Sequence, residues 1–300
     1  MPPTRPTLRR REALAFYVCI SPWLLGFLFF VLGPMVASLY ISGTRWDLLS
    51  PARFVGLANY REMLTDDPLF WKSLQVTTIY TLAYVPLDLL GGLVIALLMN
   101  QKIKGIGVFR TIFYLPSVLA GVGYVVLWLW LFNPQAGLIN SFLHYLGLQG
   151  PRWLQDPHWA LPAMIMMSLW GIGRSMVILL AGLQDIPRHL HEAAEIDGAN
   201  RWQGLLRITL PLLTPSILFN LVLGIISTFQ TFTNAFIATN GGPLDSTLFF
   251  VLYLYRKAFQ GFEMGYASAL AWVLFAIVLV CTLIVFKTSG RWVFYQAEAE

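Results

Sequence analysis

Few residues in this 300-residue chain have the type and spacing that covalent chemistry needs. His191-Glu192 opens like the zinc-binding helix of a metalloprotease, but the position four residues after His191 holds Glu195, so the second ligand is missing. His144, His158 and His189 are scattered, and all four histidines read as ordinary loop or interfacial residues. Cys19 and Cys281 lie in apolar runs without paired spacing, which excludes a disulfide framework and a thiolate metal site. Neither a Gly-x-x-x-x-Gly-Lys-Ser/Thr phosphate loop nor a Gly-x-Ser-x-Gly elbow occurs. The chain is therefore expected to hold no catalytic group, metal or cofactor of its own and not to be an enzyme. What it does carry is polar groups inside long apolar runs, whose chemistry is noncovalent recognition. Asn220, Gly224, Ser227, Thr231 and Asn234 repeat at helical spacing, flanked by Thr228 and Gln230, and Thr77, Thr81, Tyr84 and Asp88 do the same further upstream. Arg174 is a lone cation in another such run.

The elements that position these groups follow from composition. With 57% hydrophobic and 12% charged residues and a mean hydropathy of +0.65, the solvent of this chain is lipid. An all-α protein is expected, with six transmembrane helices near 15–41, 72–100, 108–132, 158–182, 212–236 and 265–286, each long enough for a hydrocarbon core that takes roughly 20 helical residues. The run after Arg9-Arg10-Arg11 is too long for a signal peptide and is read as an anchor. The organisation is a tail over 1–14, a helical domain over 15–286 with an inner loop at 183–211, and a tail over 287–300.

Charge sets the orientation. A cytoplasmic N-terminus places Arg5, Arg9, Arg10, Arg11, Lys102, Lys104, Arg110, Arg188, Arg201, Arg207, Lys287 and Arg291 inside, more than half of the 20 Lys and Arg. Arg45, Arg53, Arg61, Lys72, Arg152, Arg256 and Lys257 then lie outside, and both termini are cytoplasmic. Loop 183–211 divides into two short helices. Pro187 suits a first turn, Gly198 a helix end, and Asn200 with Gln203 a capping pair. Trp202, Leu205, Leu206, Thr209 and Leu210 keep one helical stripe. Two readings fit this hairpin: a docking element, since Ala193, Ala194 and Gly198 let another backbone approach closely, or an amphipathic linker on the lipid surface.

The residues Glu192-Ala193-Ala194, then Gly198, then Ile208, Leu210 and Pro211 resemble the EAA signature of the membrane subunits of binding-protein-dependent ABC importers. Phe54-Val55-Gly56-Leu57 with Asn59-Tyr60, Asn240-Gly241-Gly242-Pro243 and Gly265-Tyr266-Ala267 are similar to the carbohydrate branch, in particular to the first permease of the pair in maltose and glycerol-3-phosphate systems. The resemblance covers nearly the whole chain. It implies a type I ABC importer transmembrane fold in a bacterial or archaeal inner membrane, with lipid around it and no nucleic-acid partner. It further implies a heterodimer with a second homologous permease, two ATP-binding subunits that hold ATP and Mg, and an extracytoplasmic substrate-binding protein. Coupling to the ATPase falls on Glu192, Ala193, Ala194, Asp197 and Gly198. Loops 42–71, 133–157 and 237–264 become the outer mouth, where Trp46, Trp71 and Trp153 serve as interfacial anchors or stack on sugar.

The polar stripe of the fifth span is then a substrate path or a helix-packing surface. Its amides and hydroxyls match a neutral sugar, and an oligosaccharide is the preferred cargo. Asp88 and Arg174 each cost free energy in hydrocarbon, and a buried ion pair between them is expected. The other reading turns Arg174 to the path, where it would select an anionic derivative such as a sugar acid or glycerol 3-phosphate. An ion-gradient-driven secondary transporter would need several intramembrane carboxylates, and one Asp is too few.

Overall fold

The computed structural model describes residues 5–101, 103–119 and 121–294, so Lys102 and the last part of the C-terminal tail lie outside the described residues. The chain is mostly helical and divides into two compact units, one of residues 1–66 with 256–272 and one of residues 67–255 with 273–300.

In the first unit, helix α1 (Arg5–Phe27) passes through a π-helical turn, Leu28–Leu32, into α2 (Gly33–Ser42) without a break. Its most apolar stretch buries nothing against the rest of the chain, so lipid or another protein must cover it. Two short strands follow, β1 (Thr44–Arg45) and β2 (Arg53–Phe54), antiparallel with Thr44 opposite Phe54. Helix α3 (Ala58–Thr65) then presents Asn59, whose buried amide donates to the Ser42 and Thr44 carbonyls at 2.8 Å each. Tyr60 Oη pairs with Ser42 Oγ at 2.8 Å, and Gly56 turns at φ +63°. A Cβ on Gly265 would lie 1.9 Å from the Thr44 carbonyl oxygen. The Phe54–Tyr60 and Gly265 segments thus knit this end of the unit through backbone carbonyls, a structural reason for those residue types.

The second unit is organised on α4 (Pro68–Met99). Asp67 caps it, accepting from the Leu69 and Phe70 amides at 3.0 and 3.1 Å, with Pro68 in its first turn. At the far end, Arg110 Nη2 donates to the Met99 carbonyl at 2.7 Å, a cation on orphan helix carbonyls. The two runs expected at 108–132 and 158–182 are both broken. Helices α5 (Ile106–Val118) and α6 (Val122–Leu131) meet at 101°, and Gly121 takes φ +73° at the join. After α7 (Leu138–Tyr145), α8 (Ala160–Leu169) and α9 (Gly173–Asp185) meet at 44°. Trp153 is buried, and its indole N–H donates to Asn140 Oδ1 at 2.6 Å, so it is a packing residue and not an open stacking surface.

Helices α10 (Arg188–Ile196) and α11 (Arg201–Gly204) form the hairpin expected in loop 183–211, with Pro187 just before α10 and not within its first turn. A π-helical turn, Leu205–Thr209, carries α11 into α12 (Leu210–Phe229). The expected single stripe therefore splits, Trp202 and Leu206 facing outward while Thr209 is buried, because the π turn adds one residue to the repeat. The fifth run also ends sooner than expected: Gln230 leaves the helix, and α13 (Thr233–Ala238) is separate. The turn Asn240–Pro243 is closed by Thr247, whose hydroxyl donates to the Gly242 carbonyl at 2.7 Å, before α14 (Phe250–Tyr255). Helix α15 (Met264–Ser289) begins in the first unit and ends in the second.

Among the described residues, four helices are long and apolar enough to cross a membrane, rising to six if each bent pair is one span. Small residues let the helices of the second unit touch. Gly92 faces Ser175, and Gly173 faces the backbone of α5, where a Cβ would lie 2.3 Å from the Phe113 carbonyl oxygen. Gly173→Ala is accordingly expected to destabilise by about 1–3 kcal/mol and to lower the thermal midpoint in detergent. Gly26→Ala, where nothing lies within 4 Å, should leave the midpoint in place.

Candidate functional site: a polar cavity on helices α4, α9 and α12

Within the second unit, α4, α9 and α12 wall a cavity of about 550 Å³. All seven candidates of the fifth run, six polar residues and Gly224, line it: Asn220, Gly224, Ser227, Thr228, Gln230, Thr231 and Asn234. Helical geometry brings the first four to one side, and the break at Gln230 returns Thr231 and Asn234 to the same space. Their hydrogen bonds are mostly local. Asn220 Nδ2 donates to the Ser216 carbonyl at 3.1 Å and Ser227 Oγ to Gly224 at 3.0 Å. Their remaining donor and acceptor capacity faces the cavity.

The upstream stripe divides. Tyr84 and Asp88 line the cavity, whereas Thr77 and Thr81 are buried elsewhere. Thr77 Oγ1 accepts from the Phe250 amide at 2.9 Å, and Thr81 Oγ1 donates to Thr228 Oγ1 at 3.0 Å, tying α4 to α14 and α12. Tyr80, stacked on Tyr84 with ring centroids 5.6 Å apart, lines the cavity too and donates its hydroxyl to Ser168 Oγ at 2.7 Å.

Asp88 and Arg174 both line this cavity, but the expected ion pair is not formed. Asp88 accepts from Ser175 Oγ on one oxygen and, over a long 3.4 Å, from Tyr84 Oη on the other. Arg174 sits in the first turn of α9 with an exposed side chain, and among the described residues it has no carboxylate partner. The chain direction explains the outcome: α9 turns Ser175 towards α4 and so leaves the adjacent Arg174 pointing elsewhere. Sequence spacing missed Tyr80, Tyr124, Ser168 and Ser175. Ser168 and Ser175, seven residues apart in one apolar run, were the available signal; Tyr124, alone among apolar residues, gave none.

At the hairpin, α10 ends in a Schellman motif. Gly198, at φ +79°, donates to Glu195 at 3.1 Å, and Ala199 donates to Ala194 at 2.9 Å. Asn200 and Gln203 form the expected capping box, each side chain accepting from the other's backbone amide at 2.9 and 2.8 Å. Glu192, Ala193, Asp197 and Gly198 are exposed, as are Ile196, Trp202 and Leu206, while Ala194 borders a small groove of about 230 Å³ between the two helices. No cluster of three metal-ligating side chains occurs among the described residues.

A fold of broken apolar helices around a polar cavity is that of a transport subunit, and comparison with known proteins agrees. Residues 68–293 match the model of the binding-protein-dependent transport system inner membrane component, and the chain belongs to that family. It is 49% identical to the probable ABC transporter permease protein YesP of Bacillus subtilis over 97% of this chain and 95% of that one. It is 35% identical to the trehalose/maltose transport system permease protein MalF of Thermococcus litoralis, over 94% of this chain and 96% of that one. Among solved structures, a chain of a bacterial ABC transporter involved in the import of the acidic polysaccharide alginate superposes with a TM-score of 0.82. It is 24% identical and covers 96% of this chain and 99% of its own, a likeness of fold. The chain is thus a multi-pass membrane protein and a transport subunit.

Ser175→Ala should leave one Asp88 oxygen without its partner. A destabilisation of about 1–3 kcal/mol is expected, read as a lower thermal midpoint of the purified protein, while Ser175→Thr keeps the hydroxyl and most of the stability.

Proposed function

We propose that this chain is a permease subunit of an ATP-driven sugar importer, with an oligosaccharide as cargo. The observation that carries the reading is the convergence of all seven fifth-run candidates on one cavity, in a chain whose family serves binding-protein-dependent transport. Amides and hydroxyls suit the hydroxyl-rich surface of a saccharide because each can donate and accept. The sugar named for the Thermococcus litoralis relative, trehalose or maltose, is of that class.

In this reading each bent pair is one span, so six helices cross the membrane and both termini are cytoplasmic. A second homologous permease completes the path and covers the apolar length of α1 and α2, and an extracytoplasmic binding protein delivers the sugar. ATP and Mg are held by two partner ATPases, which dock on Glu192, Ala193, Ala194, Asp197 and Gly198. A rigid, capped hairpin with a small, exposed edge suits that role, because force passes through it without the turn unfolding. ATP binding must favour one state of the permease by differential affinity, since a partner that binds both states equally shifts nothing.

ATP-dependent uptake of labelled oligosaccharides by the reconstituted complex tests this. Gly198→Asp is informative because aspartate tolerates positive φ better than most residues, and among the described residues beyond its two chain neighbours no atom lies within 4 Å of the new Cβ. The hairpin should persist while its docking edge gains bulk and charge. Uptake is expected to fall at least about tenfold, equivalent to roughly 1.4 kcal/mol, with insertion unchanged. Uptake indifferent to ATP, with no ATPase co-purifying, would instead establish a gradient-driven transporter.

A further inference from the structure

Resting on the reading of this cavity as the sugar path, we infer that Arg174 makes it selective for acidic saccharides, its guanidinium holding a carboxylate of the sugar. Arg174 and Asp88 are the cavity's charged side chains among the described residues, and they play unequal parts. Asp88 is buried, with its oxygens occupied by Ser175 and Tyr84. Arg174 is exposed to the cavity, and among the described residues its side chain makes no ion pair.

Two physical costs make an idle Arg174 hard to explain. A cation within a membrane span is unfavourable unless it meets a counter-charge or water, which is why such residues mark sites. Arg174 also stands in the first turn of the 13-residue α9, where the positive end of the helix dipole opposes a cation and would favour an anion. A carboxylate seated on Arg174 offsets both, and the planar fork of five donors matches its two oxygens. Across the cavity Asn220 and Ser227 present an amide and a hydroxyl but no charge, so they suit the sugar's hydroxyls. The geometry separates the two tasks, hydroxyl recognition on α12 and charge recognition on α9. Asp88 lies close enough to attract Arg174 electrostatically, but its oxygens are bonded to Ser175 and Tyr84, so the guanidinium's donors stay free for a second carboxylate.

Cellobiouronic acid and cellobiose differ by one carboxylate and are the probes. Their equilibrium binding to the reconstituted complex would be measured by titration calorimetry for wild type, Arg174→Met and Arg174→Lys. Wild type should bind the acid at least about tenfold more tightly, and the ratio should fall to near one in Arg174→Met, with Arg174→Lys between. Equal binding of both sugars by wild type, or a preference that survives Arg174→Met, overturns the role of Arg174 and leaves the sugar path standing. Binding of neither sugar removes the path and this selectivity together. If Arg174→Met loses its partner permease on purification, Arg174 pairs with an acid of that subunit and the inference fails.

Discussion

Helix α4 cannot lie in the second unit without satisfying the polar side chains it carries, and the way it does so orders the helices around it. Tyr80 bonds to α8, Asp88 to α9, Thr81 to α12 and Thr77 to the start of α14. In an apolar surrounding each of these bonds replaces hydration that the lipid cannot supply, so losing one costs more than the modest net value of a hydrogen bond in water. Asp67 at one end and Arg110 at the other close the helix termini by the same logic.

Satisfying α4 leaves the rest of the polar surface for the cavity. Once Ser175 turns to Asp88, its neighbour Arg174 is carried to the open side, and once Thr228 takes the Thr81 hydroxyl, Ser227 is left facing the space. Packing and recognition are thus alternate faces of the same helices. Close helix contacts at Gly92 and Gly173 bring the backbones near enough for these short side chains to meet.

The bent pairs serve the site in another way. A helix broken within an apolar run leaves backbone groups unpaired, tolerable where they line a polar cavity or are buried in protein. The break between α8 and α9 sits beside Gly171 and Arg174, and that after α12 beside Gln230 and Thr231, all of them cavity residues. A transporter that must change shape gains from such breaks, since hinges are a few element-terminal residues that absorb backbone rotation. The hairpin of α10 and α11 is the opposite case, a turn fixed at both caps.

Much of this was legible in the residues themselves. Apolar length gave the helical runs, the small polar stripe gave the α12 wall of the cavity, and Gly198, Asn200 and Gln203 gave the hairpin, because caps and amphipathic periods are local physics written in adjacent residues. The breaks between α5 and α6 and at Gln230 were not legible, since broken and continuous apolar helices share one composition. The π turn over Leu205–Thr209 was also hidden, and it split a stripe that a regular helix would have kept. The partner of Asp88 was a tertiary decision: spacing could offer Arg174, but the one-residue difference between Arg174 and Ser175 is about 100° of helix rotation, and only the packing of α9 against α4 fixed which of them faced the carboxylate.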